Sequence, residues 1–216
     1  GGEAIRLTTH AEEEMYPFFS PDGKTIAYSA SYEGPVEVYT MPVAGGLPTR
    51  WTYERDPSFV NTWTPDGRVA YQTRAYSRVP DYQVVTIDPE RKTREVVPLS
   101  QASEASFDAS GETVYFVRQA YHRNVTKRYK GGTARQIWKY TNGTPEAVRL
   151  TRDYDGGSHH PMWYENRVYF ITDRDGTMNL WSMTADGGDL TAEEEAREYA
   201  FEKLAEDVLS KTVQGW

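Results

Sequence analysis

The chain has 216 residues, 38% of them hydrophobic and 13% aromatic, with 16 Tyr and 6 Trp. That is the composition of a folded chain with a sizeable core, not of a disordered one. Its 24 Lys and Arg against 32 Asp and Glu leave a formal charge of −8, which argues against a general affinity for nucleic acid. The absence of cysteine excludes disulfides, thiolate metal sites and cysteine nucleophiles, and no apolar run reaches the ~18 residues of a membrane span. The start at Gly1-Gly2, without Met, reads as a processed terminus.

In chain order, the first segment is a lone strand, Glu3–Thr8. An aromatic stretch, Tyr16–Phe19, then leads into the turn Ser20-Pro21-Asp22-Gly23 and an apolar strand, Thr25–Ser29. A β-rich strand follows over Val36–Met41, then the turn Ala44-Gly45-Gly46 and a short strand, Thr49–Thr52. The same order returns with Phe59–Trp63, the turn Thr64-Pro65-Asp66-Gly67, and strands over Arg68–Gln72, Tyr82–Ile87 and Arg94–Val97. It returns again with Ala105–Phe107, the turn Asp108-Ala109-Ser110-Gly111, and strands over Thr113–Val117, Gln136–Tyr140 and Ala147–Thr151. The turn glycines at 23, 67 and 111 are 44 residues apart each time. A fourth copy runs His160–Tyr164, Glu165-Asn166, Arg167–Ile171 and Asn179–Met183. Four antiparallel strands at this period predict an all-β fold of four β-propeller blades, residues 1–190. The lone N-terminal strand, whose Glu3–Thr8 matches Glu146–Thr151 in type, is expected to complete the last blade. The blades could tighten into a ring, stay open under a cover, or join edges between chains.

From Thr191 onward the composition changes. Thr191-Ala192-Glu193-Glu194 reads as a capping box, and Ala196, Tyr199, Ala200, Leu204 and Val208 recur at helical spacing. Residues 191–216 are therefore predicted to form one amphipathic helix whose apolar stripe packs on the blades or on another copy of the chain. Its polar face is acidic, which disfavours an anionic membrane surface.

The run Tyr129-Lys130-Gly131-Gly132-Thr133-Ala134-Arg135-Gln136-Ile137-Trp138, followed by Arg167–Gly176, resembles TolB-type propellers, and among them most closely the six-bladed propeller of the tricorn protease family. The resemblance covers about residues 3–190. It implies a serine peptidase parent, cytoplasmic or periplasmic, whose PDZ-like and catalytic domains are not in this sequence. The chain is accordingly expected to be non-catalytic: an excised or engineered scaffold with an unrelated C-terminal helix, or a peptide-binding or substrate-gating propeller domain. Self-association through blade edges or the helix, and binding of short peptides, are the expected partnerships.

Few residues offer chemistry. His159-His160 invites a metal or general-base reading, but neighbours in a strand point to opposite faces, so the pair is expected to be structural and no metal or cofactor site is assigned. Asp173-Arg174-Asp175-Gly176 mimics the start of a calcium loop; Thr184 stands where the closing glutamate belongs, and a tight turn is the better reading. No Gly-x-Ser-x-Gly elbow surrounds any serine. The loop carrying Arg118, His122, Arg123, Lys127, Arg128 and Lys130 holds no acid between its ends and could meet an acidic partner. Arg55 precedes the inner strand of the second blade. Basic residues at about this place in the tricorn family are thought to hold the C-terminal carboxylate of peptides, although Glu54 stands here where the family favours a second base. An ion pair of Arg55 with Glu54 or Asp56 is the competing reading.

Overall fold

The computed structural model describes residues 6–119 and 129–191. They form fifteen strands in four antiparallel sheets, with no helix among the described residues. The first sheet is β1 (Glu14–Phe19), β2 (Thr25–Ala30), β3 (Glu37–Pro42) and β4 (Thr49–Arg50). The second is β5 (Phe59–Trp63), β6 (Val69–Thr73), β7 (Gln83–Asp88) and β8 (Thr93–Val96). The third is β9 (Ser103–Phe107), β10 (Thr113–Val117), β11 (Ile137–Thr141) and β12 (Val148–Arg149). The fourth has three strands, β13 (Ser158–Tyr164), β14 (Arg167–Thr172) and β15 (Asn179–Thr184). Each sheet meanders in sequence order, as a propeller blade does.

The chain divides into two compact units, residues 1–103 and 104–216. Within the first unit Ala27 and Val38 of one blade pack against Val60, Val69, Tyr71, Val85 and Ile87 of the next, edged by Phe18, Trp51 and Trp63. Within the second unit Tyr115, Val117, Ile137 and Leu150 pack against Val168, Phe170 and Met183, with Trp163 and Trp181 alongside. Ile26, Tyr28, Ala30, Tyr39 and Met41 form a separate cluster on the other face of β2 and β3. β2 is thus packed on both faces, and β10 is buried along its whole length, which accords with Thr25–Ala30 and Thr113–Val117 reading as nearly unbroken apolar runs.

The turns between first and second strands work as their residues require. Ser20 and Thr64 hydroxyls donate to the carboxylates of Asp22 and Asp66, and in the third blade Ser110 donates to Asp108. The amides of Gly23, Gly67 and Gly111 return to residues 20, 64 and 108, with φ of 69°, 84° and 75°, a region open to glycine at little cost. The amides of Ser58, Ala102 and Ser158, where each next blade begins, donate to the carbonyls of Val36, Tyr82 and Arg135 at 2.8–2.9 Å.

A polar lock at the third and fourth strands recurs in two blades. Glu37 is buried; the Thr52 hydroxyl donates to it, Arg50 donates to its other oxygen at 2.9 Å, and the Val38 amide donates to the Thr52 hydroxyl. In the third blade Gln136 takes the place of Glu37. Thr151 and Arg149 donate to its carbonyl oxygen at 2.5 and 3.2 Å, and the Ile137 amide donates to Thr151. Residues 6–8 of the expected N-terminal strand lie in no strand, yet Arg6 Nε donates to the Thr8 carbonyl just as Arg50 Nε donates to that of Thr52; residues 1–5 lie outside the described residues. Beside β15, Thr191 bridges Ser182 at the place an outer strand takes. The predicted helix over 192–216, with Ala196, Tyr199, Ala200, Leu204 and Val208, lies outside the described residues.

The two locks differ by one charge, and that sets their sensitivity. Arg50→Ala strands a buried carboxylate and is expected to cost about 3–5 kcal/mol. Arg149→Ala leaves a neutral amide that still accepts from Thr151, and is expected to cost about 1–2 kcal/mol. Urea unfolding of both variants checks the ordering; equal losses would show that the Glu37 charge is not held by Arg50.

Candidate functional site

Between β4 and β5 the chain carries Glu54, Arg55 and Asp56. The two acids are engaged elsewhere. Glu54 Oε1 accepts from the hydroxyls of Tyr71 at 2.7 Å and Tyr76 at 2.8 Å, and its other oxygen from Ser58 at 3.2 Å. Arg94 Nε approaches Glu54 at 3.6 Å. Burial, with the Glu54 charge second, pushes the Tyr71 phenol well above its ordinary range, so it stays a donor. Asp56 pairs with Arg74 at 3.3 Å. Arg55 lies between them, exposed and at φ 60°, and takes neither acid as a partner. The expected ion pair of Arg55 with Glu54 or Asp56 is therefore replaced by pairs with Tyr71, Tyr76 and Arg74, residues on or just after β6 that a reading of adjacent positions could not find.

The second cluster is in the other unit. Adjacent strand residues alternate in direction, yet His159 and His160 face each other with their Nδ1 atoms 2.5 Å apart. β13 shifts register between His159 and Met162, and His160 has φ 53°. Such a bulge re-aims the side chain. Pro161 marks the place in the sequence, because proline inside a strand is confined to edges, strand starts and bulges. Glu104 of β9, itself at φ 52°, accepts from the His160 amide at 2.7 Å and pairs with Arg135 at 3.1 Å. Burial above all, then the charge of Arg135, pushes His159 down to about 3, so its imidazole is neutral at ordinary pH.

The other candidates are structural turns and packed cations. Gly176 closes the Asp173 turn at φ 96°, with its amide on the Asp173 carbonyl. Asp153 pairs with Arg174 and Asp155 approaches Arg149. Of the basic loop, Arg118 lies over the Trp138 ring and Lys130 over the Tyr154 ring; His122, Arg123, Lys127 and Arg128 lie outside the described residues.

Residues 1–210 match the tricorn protease N-terminal beta propeller domain. The chain belongs to that family. It is 31% identical over 194 residues to tricorn protease homolog 1 of Streptomyces coelicolor, which covers 88% of this chain and 18% of that protein. It is 24% identical over 209 residues to the tricorn protease of Thermoplasma volcanium, covering 92% of this chain and 20% of that one. Its fold matches the crystal structure of the tricorn protease with a TM-score of 0.73 over 86% of this chain and 19% of that chain, at 23% identity. It also matches a putative TolB from Agrobacterium tumefaciens with a TM-score of 0.64, over 81% of this chain and 62% of that one, at 22% identity. The chain spans about a fifth or less of the length of these curated tricorn relatives. The match through residue 210 takes in most of the segment after Thr191, so the expectation that this segment is unrelated to the propeller is corrected.

Removing the Glu54 side chain leaves the buried Tyr71 hydroxyl without its acceptor. Glu54→Ala is expected to cost about 1–3 kcal/mol, whereas Glu54→Gln, which keeps an acceptor oxygen, costs less. Chemical denaturation of the two variants reads the difference, and equal losses would mean that the carboxylate charge, not the acceptor, holds the tyrosines.

Proposed function

We propose that this chain is the non-catalytic propeller portion of a larger tricorn-like peptidase, and that it holds peptides by their C-terminal carboxylate at Arg55. The observation that carries this reading is the state of Arg55. Two acids flank it, and both are drawn off by other partners, so an exposed guanidinium is left for a ligand. A guanidinium fork suits a carboxylate because both oxygens are met at once. Membership of the tricorn propeller family supports the peptide class of ligand, and the small share of the relatives' length that this chain spans supports a division of labour with domains elsewhere. In this reading the propeller selects and orients, and bond cleavage belongs to another part of the protein.

The competing reading is an engineered assembly scaffold with no ligand. One support for it is a C-terminal segment foreign to the propeller, and the family match through residue 210 removes that one.

Short peptides with free and with amidated C-termini separate the two readings. Calorimetric titration is expected to show weak binding of the free acid, and a loss of about tenfold to a hundredfold on amidation or in Arg55→Ala, the range of one charged hydrogen-bonded contact. No binding at millimolar peptide, or equal binding of acid and amide, would overturn the carboxylate reading and leave the scaffold standing.

A further inference from the structure

Glu104, His159 and His160 bring three ligand atoms to within 4.8 Å of one another. The set joins the first strands of two neighbouring blades in one unit: Glu104 is the second residue of β9, and the histidines are the second and third of β13. Two backbone kinks make the convergence, at φ 52° for Glu104 and 53° for His160. His160 Nδ1 stands 3.5 Å from Glu104 Oε2 and 2.5 Å from His159 Nδ1. Two imidazole nitrogens this close have room for one proton or one cation between their lone pairs, and without either the lone pairs face each other.

The surroundings have the build of a metal shell. Arg135 holds Glu104 Oε1 at 3.1 Å, and the His160 amide donates to Oε2 at 2.7 Å, so the carboxylate is fixed in orientation with Oε2 toward the rings. His159 is buried, while the His160 side chain is 53% exposed, so one side of the set opens to solvent. We propose that Glu104, His159 and His160 form a three-ligand site for a late first-row divalent cation of the zinc type, with a fourth position left for water or a ligand. Two imidazoles and one carboxylate is a donor set that zinc takes in open, catalytic-type sites, and imidazole favours zinc, nickel and copper over magnesium or calcium. Two nitrogens on a tetrahedral zinc stand about 3.3 Å apart, so the pair opens by about 0.8 Å on binding, a movement the exposed His160 ring can supply. The Arg135 charge opposes the cation, and Glu104 offsets it. The alternative is a shared proton between two structural histidines.

Calorimetry with Zn2+, on chain first stripped by chelator, tests the site, and Co2+ reports its geometry through visible absorption. The expected result is one Zn2+ per chain and a tetrahedral cobalt spectrum. His160→Ala and Glu104→Gln should each lower the affinity about tenfold or more, while His10→Ala, at an exposed histidine in the other unit, should change nothing. His160 is exposed enough that its loss leaves the fold in place, which far-ultraviolet circular dichroism verifies. No saturable binding by the unaltered chain, or equal binding by His160→Ala, would overturn the proposal in favour of the shared proton.

Discussion

A four-stranded blade has two faces and can cover neither by itself. Everything else in this chain follows from that constraint. Within each unit the strands that face the neighbouring blade bury apolar side chains against it, and Val38, Tyr71, Val117 and Phe170 are buried accordingly. Within each unit a backbone tie runs from the start of one blade to a carbonyl just before the third strand of the previous one, at Ser58 and Ser158, and Ser29 and Ser106 hydroxyls add to it by accepting from the Val60 and Trp163 amides. Side chains enter where the backbone ladder runs out. The short fourth strands β4 and β12 have few ladder bonds to offer, and the Thr52–Glu37–Arg50 and Thr151–Gln136–Arg149 locks hold them to the sheet.

Loop and strand chemistry then divide. Glu54 is consumed by its own unit, since two tyrosine hydroxyls and Ser58 take its oxygens. A carboxylate so committed cannot neutralise the arginine beside it. The same economy in the third and fourth blades commits one Glu104 oxygen to Arg135 and turns the other toward the histidines. In both places a buried or half-buried acid is held by hydrogen bonds from its own unit, and the neighbouring cationic or imidazole group is left facing outward. Which partner takes the acid decides which neighbouring group is left exposed.

The repeat and its strands were legible because period, turn residues and apolar runs are local signals. The expected third strand Tyr82–Ile87 differs from the observed Gln83–Asp88 by one residue at each end, and Phe59–Trp63 agrees in full. The family, too, was carried by short motifs and holds over residues 1–210. What the sequence hid were contacts between residues far apart in number. Arg55 was singled out, but its isolation depends on Tyr71, Tyr76 and Arg74, 16 to 21 residues on, which no spacing rule connects to it. That the two histidines face each other is hidden for a different reason: strict alternation assumes an unbroken pleat, and Pro161 is the visible sign that β13 departs from it.

A non-glycine residue at positive φ costs of order 1–3 kcal/mol and persists only where its surroundings insist. Tyr16, Glu104 and His160 adopt φ of 55°, 52° and 53° near the start of the first strand of three different blades. Their side chains share no chemistry: a phenol, a carboxylate and an imidazole. A strain paid at the same place by unlike residues comes from the blade, not from any one site. The first strand must leave its neighbour's edge and still pair with the second strand, and in β1 and β13 the register shift at this place reconciles the two. In these three blades the kink turns one side chain out of the pleat, and what that side chain does is left to the sequence; β5 shifts register between Val60 and Thr62 without such a residue. In β9 and β13 the residues so turned are Glu104 and His160, which is why a ligand set can assemble at a place where the fold already bears the strain.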